Sequence, residues 1–339
     1  MSGRALRWLL SLASGPLSPR SGRSRLTIVR HHRVYAEGER ALYHLGVSES
    51  VLEAQVATCV RAGATPCTVR EGLERLRDGR PGHAIAFSFD DGYADNVTRA
   101  LPILARHGAK ATFYLTAGLM DSRTAPWWDE LAFVLAHAGT AVARWQAAGT
   151  TLGLDVSTPP GRSAALRGLL PLMRVAPAEQ RVRLDALRET LGVRGPAPCE
   201  LADWPLATRL AEAGMEIGAH TLTHPFLTLL PPGEQRREIA DSAALAAART
   251  GAAVSGLAYP VGDHDDRTVD AARAARLAHA VTTRAGDCTG ASDDFRLPRR
   301  ALPEGASLGP GGKPSATMVR AELRGAFDRL RGRRAEAGT

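Results

Sequence analysis

The segment HAIAFSFDDG, residues 83–92, sets the expectation for the fold. Its first seven residues are almost all apolar, as in a parallel-sheet strand that is buried on both faces. The apolar run stops at Asp90 and Asp91, and Gly92 lets the chain turn so that both carboxylates can reach one pocket. Neighbouring carboxylates repel each other unless a cation lies between them, so the motif suggests a metal site. By itself, the motif is more often a turn followed by a helix cap.

Strands and helices alternate on both sides of this segment. The pattern predicts strands that begin near residues 25, 83, 111, 215, 254 and 279, with helices between them. This alternation is typical of a parallel sheet with right-handed crossovers. About seven such units around one core predict an α/β fold, an incomplete or distorted barrel, with its active site at the carboxyl ends of the strands.

The alternation is interrupted from about residue 120 to 200. Helical patterns near residues 128–138, 162–173 and 177–191 predict a helical insertion that lies over the barrel. The predicted organisation is therefore an N-terminal basic or amphipathic segment and linker (1–25), a barrel with its core motifs from residue 83 onward (26–302), and a C-terminal linker and basic helix (303–339).

The composition describes a globular protein. Of the 339 residues, 44% are hydrophobic and 23% are charged, which excludes a disordered tail or a fibre. The formal net charge is +8, but the arginines are spread along the chain, so we expect a solvated basic surface and no nucleic-acid partner. The four cysteines have the spacing of neither a zinc knuckle nor a disulfide framework.

The N-terminal segment bears on localisation. Arg4 and Arg7 precede an apolar stretch at residues 8–13, which is shorter than the roughly 7–15 residues of a secretory signal. The segment also fits a short amphipathic helix, and such a helix could touch an anionic membrane surface. Its apolar stripe would be formed by Leu6, Leu9, Leu10 and Ala13. We expect a cytoplasmic protein, with peripheral membrane contact as the alternative and secretion as the less favoured one.

A second motif, HTLTH at residues 220–224, again follows a predicted strand. Two histidines four residues apart lie on one face of a helical turn, so His220 and His224 can converge on one metal ion. Two imidazoles and one carboxylate, with positions left open for water, form a catalytic rather than a structural zinc site. Taken alone, the pair is more often explained by core or surface histidines.

Four weaker signals lie near the predicted strand ends. Tyr259 and Pro260 would form one wall of a cleft, although simple loop geometry explains them as well. The segment HHRV, residues 31–34, supplies a histidine that could donate a proton near neutral pH. Trp128, in the segment WWD at 127–129, could stack on a sugar ring or pack in the core. Residues 263–266 could line the pocket or form a solvated loop.

Together, these motifs resemble the polysaccharide deacetylases, also called the NodB-homology domain or carbohydrate esterase family four. The resemblance is carried by the segments SFDDG (88–92) and HTLTH (220–224), and by the intervening segments RALPIL (99–104) and ATFYL (111–115). It covers roughly residues 26–302 and implies a distorted (β/α)7 barrel that binds one divalent metal ion, most commonly zinc.

The resemblance also implies residue roles. Asp91, His220 and His224 would be the metal ligands, and Asp90 would be the general base that activates a metal-bound water. The backbone N–H of Tyr93 would help the metal to stabilise the oxyanion. Zinc suits this ligand set, but nickel or cobalt could occupy it.

Two departures from the family pattern concern the base and the acid. Many members have an arginine before the proline of the third motif, but the chain has Leu-Ala-Tyr before Pro260, so Arg299 is a candidate substitute on the wall of the substrate cleft. No late Leu-x-His motif follows His279. A permuted arrangement with Tyr-His-x-Val on the first strand would make His32 the candidate acid.

The predicted function is metal-dependent removal of N-acetyl groups, or alternatively O-acetyl groups, from a carbohydrate in cell-envelope or exopolysaccharide synthesis. One alternative is a hydrolase of the same fold that acts on a non-sugar amide such as a cyclic ureide. The other is a carbohydrate-binding relative without catalytic activity. The expected partner is an acetylated carbohydrate, and the oligomeric state is left open.

Overall fold

The fold was analysed in a computed structural model that describes residues 7–8, 11, 24–39, 42, 45–147 and 149–328. The strands, in chain order, are β1 (Arg25–His31), β2 (Arg33–Tyr35), β3 (Gly46–Ser48), β4 (Thr65–Pro66), β5 (His83–Phe89), β6 (Ala111–Leu115), β7 (Val142–Ala147), β8 (Thr150–Asp155), β9 (Glu216–Ala219), β10 (Gly256–Ala258), β11 (His279–Val281) and β12 (Arg300–Ala301).

The helices surround the sheet and alternate with its strands, as the sequence pattern predicts. They are α1 (Glu49–Arg61), α2 (Val69–Arg77), α3 (Leu101–Arg106), α4 (Ala117–Ser122), α5 (Trp127–Ala136), α6 (Pro159–Leu169), α7 (Pro177–Thr190), α8 (Trp204–Glu212), α9 (Pro232–Thr250), α10 (Asp266–Ala274), α11 (Glu304–Ser307) and α12 (Ala316–Leu323). A π-helical turn, Asn96–Ala100, leads into α3.

The main sheet is parallel throughout, in the order β11-β10-β9-β6-β5-β1-β12, with β4 beside β5. Residues 297–301 bridge its two edges. Leu297 hydrogen-bonds to the backbone of Ala280 and Thr282 beside β11, and Arg300 then pairs with Val29 of β1. The predicted distorted (β/α)7 barrel is therefore confirmed, and the bridging segment brings Arg299 to its interior.

Both faces of the sheet are buried, which explains the nearly unbroken apolar run of β5. On the inner face, Leu26 and Ile28 of β1 pack with Ala86 of β5 and with residues of β6, β10 and β11. On the outer face, Phe87 packs with residues of α1 and α3. Because side chains alternate along a strand, the inner face continues from Ala86 through Ser88 to Asp90 at the carboxyl end.

The insertion differs from the prediction in one element. Its three helices are present as α5, α6 and α7, but the spacer between α5 and α6 forms an antiparallel hairpin of β7 and β8. The strands are mostly exposed and bury chiefly Trp145 and Leu154, so the apolar alternation that would reveal them is weak. These two residues join α5, α6 and α7 in a separate hydrophobic core.

Residues 7 and 8 contact α12 and the segment that follows it. Trp8 packs beside Met318 and Phe327, and the Arg7 guanidinium pairs with Glu322. The four residues of the predicted N-terminal apolar stripe lie outside the described residues. The predicted basic helix at 317–331 is observed only as far as Leu323. None of the helices among the described residues is both long and apolar enough to cross a bilayer.

Candidate metal centre

A tight turn after β5 positions the two adjacent carboxylates. Asp91 and Gly92 both have left-handed backbone conformations, with φ of 76° and 86°. The turn is fixed from both sides, because Asp90 N–H donates to the His31 carbonyl and the Gly92 carbonyl accepts from Ala202. A Cβ on residue 92 would lie 2.9 Å from Met120 Sδ, so glycine is required by packing as well as by conformation.

The two histidines lie in a loop after β9, and the predicted helical turn is wrong. Thr221 and His224 have φ of 66° and 58°, so the segment is not helical. Glu238 of α9 holds the loop. Its carboxylate accepts hydrogen bonds from the backbone N–H groups of Leu222 and Thr223, at 2.8 and 2.9 Å. Left-handed residues that tertiary contacts enforce are common at functional sites.

Asp91, His220 and His224 converge at the carboxyl ends of β5 and β9. Asp91 Oδ1 lies 3.3 Å from His220 Nε2 and 3.8 Å from His224 Nε2, and all three side chains are buried. The candidate ligand atoms lie within 4.8 Å of one another, the only such group found in the described part of the chain.

The donor atoms of this group are arranged for a cation. Because His220 Nδ1 donates to the Ala258 carbonyl at 2.7 Å, the neutral ring keeps a lone pair on Nε2, facing Asp91. Asp91 Oδ1 accepts no hydrogen bond from any described residue although it is buried. Burial and then the nearby His220 lower the pKa of His224 to about 3, so this ring is neutral and keeps a lone pair for a cation. The three residues therefore fit a divalent ion with a preference for nitrogen and oxygen.

Asp90 is paired with Arg299. Both carboxylate oxygens accept from the guanidinium at 2.7 Å, and Arg299 Nε donates to the Thr282 carbonyl at 2.9 Å. Burial by itself would raise the pKa of Asp90, but Arg299 and then His220 hold it well below its ordinary value. Asp90 is therefore ionised and fixed in orientation. Arg299 therefore faces the Asp90 carboxylate, although it belongs to the segment 297–301 and not to the motif before Pro260.

The two adjacent histidines at the end of β1 have different environments. His32 Nε2 lies 3.8 Å from Asp90 Oδ2, on the same side as the metal ligands. His31 stacks on Phe89 with ring centroids 5.3 Å apart, and burial lowers its pKa to about 3. Only His32 is thus placed beside the site, as the strand alternation requires.

Tyr93, which follows the Asp90–Asp91 turn, is hydrogen-bonded to two residues of α5 in the insertion. Tyr93 O–H donates to Asp129 at 2.8 Å and accepts from Trp128 Nε1 at 2.8 Å. Trp128 packs on His224 with ring centroids 4.2 Å apart and is only 3% exposed, so it supports a ligand and is not available to stack on a sugar. The Tyr93 backbone N–H, the candidate oxyanion donor, donates no hydrogen bond within the described ranges.

Tyr259 and Pro260 are buried, so the structure contradicts their assignment to the substrate cleft. Strand alternation turns Tyr259 to the outer face, where it packs with α9 and α10, and its hydroxyl donates to the Phe295 carbonyl at 3.1 Å. Residues 263–266 have structural roles: Asp263 accepts from Thr228, and Asp265 caps α10.

Two positions near the centre were missed by sequence reasoning. Glu238 lies in the middle of a helix, and no motif marks it as the partner of the histidine loop. Arg30 belongs to an apolar strand, and only the alternation with Leu26 and Ile28 could have placed it on the inner face.

Comparison with known proteins places the chain in a family. A family model described as "Polysaccharide deacetylase" matches residues 77–160 and 171–280, which is more than half of the chain. The chain therefore belongs to the polysaccharide deacetylase family, whose members are hydrolases of carbon–nitrogen bonds other than peptide bonds. No curated protein matches the sequence.

Solved structures show the same fold at low identity. The Streptococcus pyogenes deacetylase PplD in complex with acetate is 17% identical, with a TM-score of 0.56 over 86% of this chain and 96% of that one. The deacetylase domain of BpsB from Bordetella bronchiseptica is 16% identical, with a TM-score of 0.54 over 84% and 97%. IcaB from Ammonifex degensii is 17% identical, with a TM-score of 0.54 over 89% and 97%.

Proposed function

We propose that this protein removes N-acetyl groups from a carbohydrate in a metal-dependent hydrolysis. The observation that carries the proposal is the convergence of two imidazole Nε2 atoms on Asp91 Oδ1, beside a second carboxylate that Arg299 holds in place. Family membership favours a carbohydrate over the non-sugar amide.

Asp91, His220 and His224 would hold the divalent ion. Zinc is the metal that this ligand set favours, with nickel and cobalt as alternatives. When bound, the ion would polarise a water molecule and the acetamide carbonyl. The carbonyl of Ala258 keeps His220 in the tautomer that this role needs.

Asp90 is placed to accept the proton of the attacking water. Its two oxygens each keep a lone pair beyond the bond to Arg299, and the guanidinium fork aims the carboxylate. The backbone N–H of Tyr93, which donates to no described residue, can donate to the oxyanion that develops on the carbonyl oxygen.

His32 is the candidate acid for the departing amine. Its ring lies beside Asp90 and is about one-fifth exposed, so a proton can reach it from solvent. The C–N bond of the amide breaks as the nitrogen takes this proton, and the products are acetate and an amino sugar. An O-acetyl ester would be cleaved by the same groups, with an alcohol as the leaving group.

The test is acetate release from a panel of N-acetylated oligosaccharides, O-acetylated glycans, lipid-linked sugars and a cyclic ureide, with and without a chelator. We expect release from N-acetylated sugars, loss of activity with the chelator and recovery when zinc is added. Chelator-resistant release would contradict the metal requirement. Cleavage of the ureide alone would contradict the carbohydrate substrate.

A further inference from the structure

Arg30 lies on the inner face of the barrel at its catalytic end. It follows Leu26 and Ile28 on the same face of β1, and it pairs in register with Ser88 on one side and Ala301 on the other. Arg299 also reaches Ser88, at 3.3 Å, so two arginines share this end of the barrel.

The two arginines differ in their partners. Arg299 has both carboxylate oxygens of Asp90. The Arg30 side chain makes no hydrogen bond, ion pair or aromatic contact with any residue that the structure describes. Burial and then the nearby Arg299 lower the pKa of Arg30 to about 10, against the opposing effect of Asp90 and Asp91, so the group stays charged at neutral pH. The residue is only partly buried, so its guanidinium keeps N–H donors that no described residue takes up and that an anion can reach.

No carboxylate of the metal centre is free to pair with Arg30. Asp90 is committed to Arg299, and Asp91 faces the two histidines. A divalent ion would balance the charges of these two carboxylates. The charges of Arg299 and Arg30 would then remain in excess, and the site would attract anions.

A small cavity lies against Arg30. It has a volume of about 120 Å³, and its walls include Arg30, His32, Gly46, Ala301 and Pro303. That volume equals the liquid volume of roughly four water molecules, enough for a carboxylate or phosphate group. Gly46 and Pro303 also line a larger cavity of about 580 Å³.

We propose that Arg30 binds an anionic group of the substrate, a carboxylate or a phosphate next to the acetylated amine. The substrate class is then an acidic N-acetylated carbohydrate. A guanidinium suits this task because its planar fork donates two parallel hydrogen bonds to either anion. The inference rests on the proposed deacetylation and adds a specificity-determining residue to it.

The test compares kcat/KM for acetate release from three probes: a neutral N-acetylglucosamine oligomer, an N-acetylated oligosaccharide with a uronic acid neighbour, and an N-acetylamino sugar phosphate. For the wild type we expect a preference for an anionic probe of roughly 10- to 100-fold. Arg30→Gln should abolish the preference, mainly through KM. Arg30→Lys should retain part of it, because the charge remains but the fork is lost.

Arg237→Gln is the matched control, because Arg237 is an exposed arginine on α9. A preference for only the carboxylate or only the phosphate probe supports the inference and identifies the anion. The same anionic-to-neutral ratio in the wild type and both Arg30 variants would overturn it. If Arg30→Gln does not fold, the inference is tested by the wild type and Arg30→Lys alone. The ratio of kcat/KM for the anionic probe to kcat/KM for the neutral probe should then be lower in Arg30→Lys than in the wild type. Absence of acetate from every probe with metal present would instead refute the deacetylation itself.

Discussion

The strand ends at β5 and β10 look alike in sequence but differ in what they present. After β5, the inner-face sequence of Ala86 and Ser88 continues to Asp90, and the carboxylate reaches the barrel opening. After β10, Tyr259 continues the outer face and is buried against helices. At these two strand ends, the residue in phase with the inner face reaches the barrel opening, whereas a residue out of phase reaches it only through a turn, as Asp91 does with its left-handed backbone.

The largest expected effect is on a metal ligand at the end of β9. His220→Ala removes a donor that faces Asp91, so we expect loss of bound metal and acetate release at the level of the chelated enzyme. Metal analysis of the purified variant is the measurement, with the exposed His137→Ala as control. Full metal content in His220→Ala would contradict the ligand assignment.

Asp90→Asn should separate chemistry from metal binding. The amide cannot accept a proton as the carboxylate does, so acetate release should fall roughly 10²- to 10⁴-fold while the metal is retained. Asp241→Asn, an exposed change on α9, serves as the control. Activity equal to that of the wild type would refute Asp90 as the base.

Arg299→Gln should shift the pH profile. Arg299 lowers the pKa of Asp90, so without it Asp90 takes up its proton at a higher pH. We expect the acidic limb of kcat/KM to move to higher pH and the activity at pH 7 to fall roughly 10- to 100-fold through loss of positioning. An unchanged acidic limb would show that the guanidinium does not act on the base.

Asp129 should make stability depend on pH. Burial raises its pKa to about 7 although Tyr93 donates to it, so the folded state binds a proton that the unfolded state has lost between about pH 4 and 7. Stability should fall as pH rises through this window, by on the order of 4 kcal/mol. In Asp129→Asn this decrease of the unfolding free energy with rising pH should be absent. The measurement is denaturant unfolding of chelator-treated protein at pH 5 and 8, with the exposed Asp155→Asn as control; equal slopes would contradict the assignment.

The smallest effect is expected at the end of β10. Tyr259→Phe removes one buried hydrogen bond to the Phe295 carbonyl, which should cost about 1 kcal/mol of unfolding free energy. The kcat/KM for acetate release should stay within twofold of the wild-type value. A large loss of activity in Tyr259→Phe would indicate that Tyr259 lines the substrate cleft after all and would contradict the contrast drawn with Asp90.

The barrel and the convergence of Asp91, His220 and His224 were predictable because they depend on local patterns. An apolar strand that ends in DDG and a second that ends in HTLTH carry their own signal, and parallel strands bring their carboxyl ends to one edge. The hairpin of β7 and β8 was not predictable, since its strands are mostly exposed and lack a clear alternation of apolar residues.

The sequence by itself determined the positions of the main strands along the chain, the polar groups at their ends and the family. The tertiary structure alone decided which of two neighbouring histidines faces the site, which arginine pairs with Asp90 and which has no hydrogen bond or ion pair to any described residue. It also decided that Glu238 holds the histidine loop. The physical reason is that hydrophobic periodicity is local, whereas the pairing of buried charges depends on residues that are hundreds of positions apart.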